Sequence, residues 1–159
     1  MRFVSQLVEN YGNIVVFIIL SCGLFSFPIS DELLVLLLGY FTKNDALHYY
    51  PTLFVIFSGS VIGMLVNYLI GKKIGRPFLN LFGKWFKRSL KTSYKAEKWI
   101  QKYGFSAIII SYFVPGMRHI TGYFCGMAHM ALKSYVIYVV LSAFLWSWLF
   151  LTLSQFFKI

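Results

Sequence analysis

The chain has 159 residues, 58% of them apolar and 13% charged, with a formal net charge of +10. Soluble domains average about 25% charged residues. With a mean hydropathy of +0.70, the composition excludes an ordinary soluble enzyme or nucleic-acid-binding domain and indicates an integral membrane protein. Apolar segments recur along the chain, which a cleaved signal peptide does not explain, and at ~20 residues per span one domain of roughly four to six membrane segments fits.

The first apolar run, residues 12–27, ends at Pro28. Pro28-Ile29-Ser30-Asp31-Glu32 breaks it with two acids, and a second short run extends from Leu33 to Thr42. Leu53–Ile70 is long enough to span and carries Asn67. Its Gly59 and Gly63 form a Gly-x-x-x-Gly pattern that suits close packing of another helix. Ten of the fifteen Lys and Arg then fall between Lys72 and Lys102, against one acid, Glu97. Basic loops stay on the cytoplasmic side, so this segment is placed inside. Lys84, Arg88, Lys91, Lys95, Lys98 and Lys102 recur at steps of 4, 3, 4, 3 and 4. At 100° per residue they make one basic stripe, with Trp85, Phe86, Leu90, Ala96, Ile100 and Tyr103 opposite. This pattern predicts an interfacial amphipathic helix. It serves as an anchor and topology signal, and Arg88, Lys91, Lys95 and Lys98 also attract anionic headgroups, at about 1 kcal/mol each.

A further apolar stretch begins at Phe105 and breaks at Pro115-Gly116-Met117-Arg118. It continues through Gly122 and Gly126 to Met130, and Tyr135–Phe157 is a final long span. Each half thus holds a broken, charged hairpin followed by a continuous span. Interrupted segments at corresponding positions of two halves indicate an inverted-repeat transporter with its site at the breaks. The expected fold is all-α: two inverted repeats, each a re-entrant hairpin plus a transmembrane helix, with the basic interfacial helix between them. The single membrane domain divides into a first repeat (1–71), a cytoplasmic basic segment (72–103) and a second repeat (104–159).

Arg118 is the strongest candidate for chemistry. A guanidinium at the bilayer centre costs roughly 2.5–3.5 kcal/mol on insertion scales, so an acid or a bound anion must offset it. Its fork fits phosphate or carboxylate; the alternative role is a counter-ion locking two hairpins. Glu32 is the natural partner. Asp31 beside it suits a helix N-terminus. A buried Glu32 with a raised pKa would take up a proton and couple transport to a proton gradient. His119 and His129 flank the second break, as packing residues or as proton relays, and Asn67 suits a helix–helix hydrogen bond or a ligand contact. Cys22 and Cys125 read as buried free thiols. No metal-site spacing, nucleotide loop or hydrolase motif is present, and the expectation is a transporter without a cofactor rather than an enzyme.

The stretch Tyr112-Phe113-Val114-Pro115-Gly116-Met117-Arg118, with His119-Ile120-Thr121-Gly122-Tyr123 and Gly126 after it, resembles the signature of the DedA family, also called VTT-domain or SNARE-associated Golgi-type proteins. Pro28 through Glu32, Leu33-Leu34 and Gly39-Tyr40 resemble that family's first hairpin. Lys102-Tyr103-Gly104 also has its counterpart there. The family often has an arginine where this chain has Tyr112, so a two-arginine site is not carried over. The resemblance implies a multi-pass protein of the bacterial cytoplasmic membrane that moves a phosphate-bearing lipid, undecaprenyl phosphate or a phospholipid. It implies Arg118 and Glu32 as site residues. Asp31, Tyr112, His119, Pro115 and Gly116 are expected to line the same site. The expected partners are membrane lipids and not nucleic acid. The alternative is a proton-coupled transporter of a small molecule or ion through the same Glu32 and Arg118.

Overall fold

In hydrocarbon a backbone N–H has no water to bond, so an apolar chain closes its hydrogen bonds within helices or closed barrels. The structure, a computed structural model, describes residues 2–22, 31–43, 48–75, 98–100, 102–114 and 117–156. Among the described residues the elements are all helices: α1 (Arg2–Ser21), α2 (Asp31–Lys43), α3 (Tyr49–Ile74), α4 (Phe105–Phe113), α5 (Met117–Met127) and α6 (Leu132–Phe156). Residues 98–100 and 102–103 are helical as well.

Two of these helices are long enough and apolar enough to cross a membrane. α3 has 26 residues and α6 has 25, or about 39 and 38 Å at 1.5 Å per residue, against a hydrocarbon core of ~30 Å. The core helix of a soluble protein would be mostly buried. Here only 39% and 33% of the apolar windows are buried, and Phe54, Ile62 and Leu69 on α3 and Ile137, Leu141, Leu145 and Trp148 on α6 are exposed. Such a surface fits lipid and not water. α4 and α5 are different. With 9 and 11 residues they reach about 14 and 17 Å, roughly half the core.

Local chemistry sets the ends of the helices. α4 stops at Phe113, and Val114 is extended at φ −102 and ψ 115. That is the region forced on a residue preceding proline. Pro115 and Gly116, which the sequence marks as the break, lie outside the described residues, as do Pro28 to Ser30 of the first break. α3 ends with Lys72 and Lys73 in its last turn, where cations favour the carbonyl end of the dipole. Gly75 follows at φ 58, its N–H bonded to the Gly71 carbonyl at 3.1 Å. This is the left-handed glycine stop. α5 ends in a Schellman motif. The His129 N–H bonds the Gly126 carbonyl at 3.0 Å, and the Met130 N–H bonds that of Cys125 at 3.1 Å. His129 occupies the left-handed position at φ 52, where glycine is usual.

The chain divides into two compact units, residues 1–63 with 143–159, and residues 64–142. In the first, α3 approaches α1 at Gly59, where a Cβ would come within 3.0 Å of the Leu20 Cβ, the close contact its Gly-x-x-x-Gly pattern suits. α2 approaches α6 at Gly39, which leaves no room for a Cβ against Ser154. The Thr52 hydroxyl donates to Asn13 Oδ1 at 3.3 Å, and the Tyr49 and Thr152 hydroxyls share a bond of 2.8 Å. Leu20, Val35, Ile56, Trp146 and Leu151 form the buried apolar centre.

In the second unit, α3 and α5 touch backbone to backbone. A Cβ on Gly71 would collide with the Tyr123 carbonyl, and one on Gly126 with the Tyr68 carbonyl and the Lys72 amide. Tyrosine hydroxyls fasten the edges of this contact. Tyr123 donates to the Gly75 carbonyl, Tyr68 to that of Met130 at 2.5 Å, and Tyr135 on α6 to that of Met64 at 2.8 Å. The Tyr68 and Tyr135 rings stack at 4.6 Å. Cys125 is buried as the sequence leads one to expect, but Cys22 is exposed: it follows the last residue of α1, in the turn that ends the helix.

The colliding atoms at Gly71 and Gly126 are backbone, which cannot rotate away. Gly71→Ala and Gly126→Ala are therefore each expected to destabilise by about 1–3 kcal/mol. Thermal unfolding in detergent measures this. Ile137→Ala, on the exposed face of α6, is expected to stay within about 0.5 kcal/mol of the wild type.

Candidate anion-binding site

A helix that starts after a chain break opens with N–H groups that have no intrahelical partner. α5 is such a helix, and its first turn holds Met117, Arg118 and His119. Polar side chains tolerate membrane depth only when protein or a wet cavity surrounds them. α5 meets this condition: Arg118, His119, Thr121 and every residue from Gly122 to Gly126 are buried. Arg118 is 1% exposed and among the largest fully buried side chains. A guanidinium and a helix N-terminus are both positive. Placed together and buried, they favour an anion.

Two elements hold the guanidinium. Tyr112, in the last turn of α4, is fully buried, and the Arg118 Cζ lies 5.9 Å from its ring centroid, within cation–π range. The second holder is His119. Arg118 Nε donates to His119 Nε2 at 3.4 Å, and the Asn67 amide meets His119 Nδ1 at 3.1 Å. A neutral imidazole has one donor and one acceptor nitrogen. If Nε2 accepts from Arg118, the proton sits on Nδ1, and Asn67 must face it with its carbonyl oxygen. The amide nitrogen stands there as placed; a 180° turn of the amide exchanges the two atoms. In that arrangement both contacts are hydrogen bonds, and α3 orients Arg118 through Asn67 and His119.

The structure thus brings Arg118, His119 and Tyr112 together and adds Asn67, which is fully buried. From the sequence Asn67 is a helix–helix hydrogen bond or a ligand contact; its His119 partner is visible only in the fold. Asp31 and Glu32 stand in the first turn of α2, where acids suit the dipole. Asp31 is buried and Glu32 half-buried, and both belong to the first unit whereas Arg118 belongs to the second. Of the basic stripe, Lys98 is exposed; Arg88, Lys91 and Lys95 lie outside the described residues. Sequence reasoning missed the tyrosine hydroxyls. Their signal was available, because a phenol within an apolar run needs an acceptor.

Comparison with known proteins places the chain in a family. The VTT domain model matches residues 27–156. The chain is 43% identical over 155 residues to the uncharacterized membrane protein YbfM of Bacillus subtilis, covering 98% of this chain and 96% of that one. It is 32% identical to protein DedA of Escherichia coli K12, covering 96% and 73%. It is 29% identical to undecaprenyl phosphate transporter A of Bacillus subtilis, covering 85% and 68%. No solved structure matches. The residues that carry the motif, the helical architecture and the span of these matches agree: the chain belongs to the VTT-domain family, the DedA family of membrane proteins.

Proposed function

We propose that this protein carries a phosphate-bearing lipid across the bacterial cytoplasmic membrane, with Arg118 holding the phosphate. The observation that carries the reading is a guanidinium 1% exposed, in the first turn of a helix that follows a chain break. A lipid phosphate needs a basic, polar place at depth while its tail stays in hydrocarbon. A guanidinium with N–H groups beside it supplies parallel donors to such an oxyanion. The relatives named undecaprenyl phosphate transporter A support a prenyl phosphate or a phospholipid as cargo. The half-length α4 and α5 support a re-entrant hairpin, the second of two inverted repeats. Glu32 balances Arg118 when the site is empty, and its protonation couples release to a proton gradient. Both belong to the proposal.

Purified protein in liposomes with fluorescent phosphatidylglycerol or a labelled polyprenyl phosphate tests the reading. Arg118→Ala is expected to slow headgroup translocation about tenfold or more, the loss of one or two charge-assisted hydrogen bonds. Arg118→Lys keeps the charge without the fork and is expected to fall between the two. Full activity of Arg118→Ala would overturn the mechanism, and activity on small anions without lipid would favour the small-molecule alternative.

Asn67 and His119 act on Arg118 in series, so their effects on transport are expected to be non-additive. Asn67→Ala and His119→Ala each slow translocation, and the double variant is no slower than the worse single one. Rates that multiply would show that the two residues do not share one path to Arg118.

A further inference from the structure

We infer a second anion site at the opposite end of α5, for the phosphate headgroup of an anionic lipid waiting at the membrane surface. A cavity of about 310 Å³ opens there, lined by Gly71 to Gly75 at the end of α3 and by Met127 and His129 after α5. At ~30 Å³ per water it has room for a phosphate group and the first atoms of its ester. Its charged side chains, Lys72 and Lys73, are of one sign. Lys72, Lys73 and His129 line it, and no carboxylate does among the described residues. Lys72 Nζ lies 5.8 Å from the Tyr68 ring centroid, within cation–π range. Ile74 and Met127 supply apolar wall on which the lipid can continue.

The end of α3 is a place where backbone carbonyls would repel an anion. Here the Gly75 carbonyl accepts the Tyr123 hydroxyl, and the Met130 carbonyl accepts that of Tyr68. Two nearby carbonyls are thereby occupied. Two lysines at a helix C-terminus have a bland use, stabilising its dipole, but that use requires neither a cavity nor an imidazole across it. His129 takes the left-handed stop of α5 at φ 52, where glycine would be easier. That turn places His129 at the cavity's edge. Basic pockets at the cytoplasmic ends of membrane helices suit anionic headgroups, and the concentration of lysine and arginine between Lys72 and Lys102 assigns this end to the cytoplasm.

The site rests on the reading of the protein as a lipid transporter, and it adds a station to the path. Arg118 and Met127 are nine positions apart on α5, or about 14 Å at the helical rise. That is roughly half the hydrocarbon thickness. A headgroup received at Lys72 and Lys73 has one half-membrane step to reach Arg118.

Native mass spectrometry in a neutral detergent, with phosphatidylglycerol or phosphatidylcholine added, separates the two sites. The wild type is expected to retain two phosphatidylglycerols. Lys72→Gln/Lys73→Gln loses one, Lys72→Arg/Lys73→Arg keeps both, and phosphatidylcholine is not retained. Retention of both lipids by the double glutamine variant, or equal retention of phosphatidylcholine, overturns the site. Displacement of the lipid by excess inorganic phosphate overturns the lipid assignment in favour of free phosphate. Arg118→Gln is expected to lose the other phosphatidylglycerol; if it keeps both, the Arg118 reading fails and the lysine site stands. Circular dichroism and gel filtration check that each variant is folded.

Discussion

Two missing side chains govern the second half of this molecule. Where Gly71 meets the Tyr123 carbonyl and Gly126 meets the Tyr68 carbonyl, α3 and α5 lie backbone on backbone. Lipid tails are as apolar as leucine, so association in a membrane comes from such close packing and from hydrogen bonds. The contact has both. Its ends are tied by tyrosine hydroxyls on carbonyls, and its middle by Tyr135 reaching the Met64 carbonyl over Gly122. Because α5 is fixed along its length, the groups at its two ends are fixed too: Arg118 at one and the turn containing His129 at the other.

A buried charge is tolerated only with company. Arg118 has the Tyr112 face and the His119 nitrogen near it, and His119 is held in turn by Asn67 on α3. None of these groups neutralises the cation. They orient it: the ring face and the imidazole nitrogen fix where the guanidinium fork points.

Much of this was legible in the sequence, for identifiable reasons. Pro115 forbids a continuous helix, and the break between α4 and α5 falls on it. The uninterrupted runs at residues 53–70 and 135–157 became α3 and α6, each longer than its apolar run. The extension of α3 back to Tyr49 carries Pro51, which a first turn accommodates because its N–H has no helical partner. α1 begins at Arg2, well before its apolar run, since polar Ser5, Gln6, Glu9 and Asn10 mask the start of the periodicity. The Arg118 site was visible as an anomaly of composition, a cation and a helix breaker together. What surrounds it was not. Glycine in a membrane helix announces that something comes close without naming it, and Asn67 announces a partner without choosing one. The stop at His129 carried no signal, because it uses a histidine at a glycine position.

Cys125 sits on α5 one residue before Gly126 and is fully buried. The packing around α5 therefore also shields a thiol from reagents. Its rate of alkylation is a clock for how often the packing around α5 opens, and it reads that motion without any added probe. Cys22, exposed at the end of α1, supplies the reference rate of a thiol that no such opening controls.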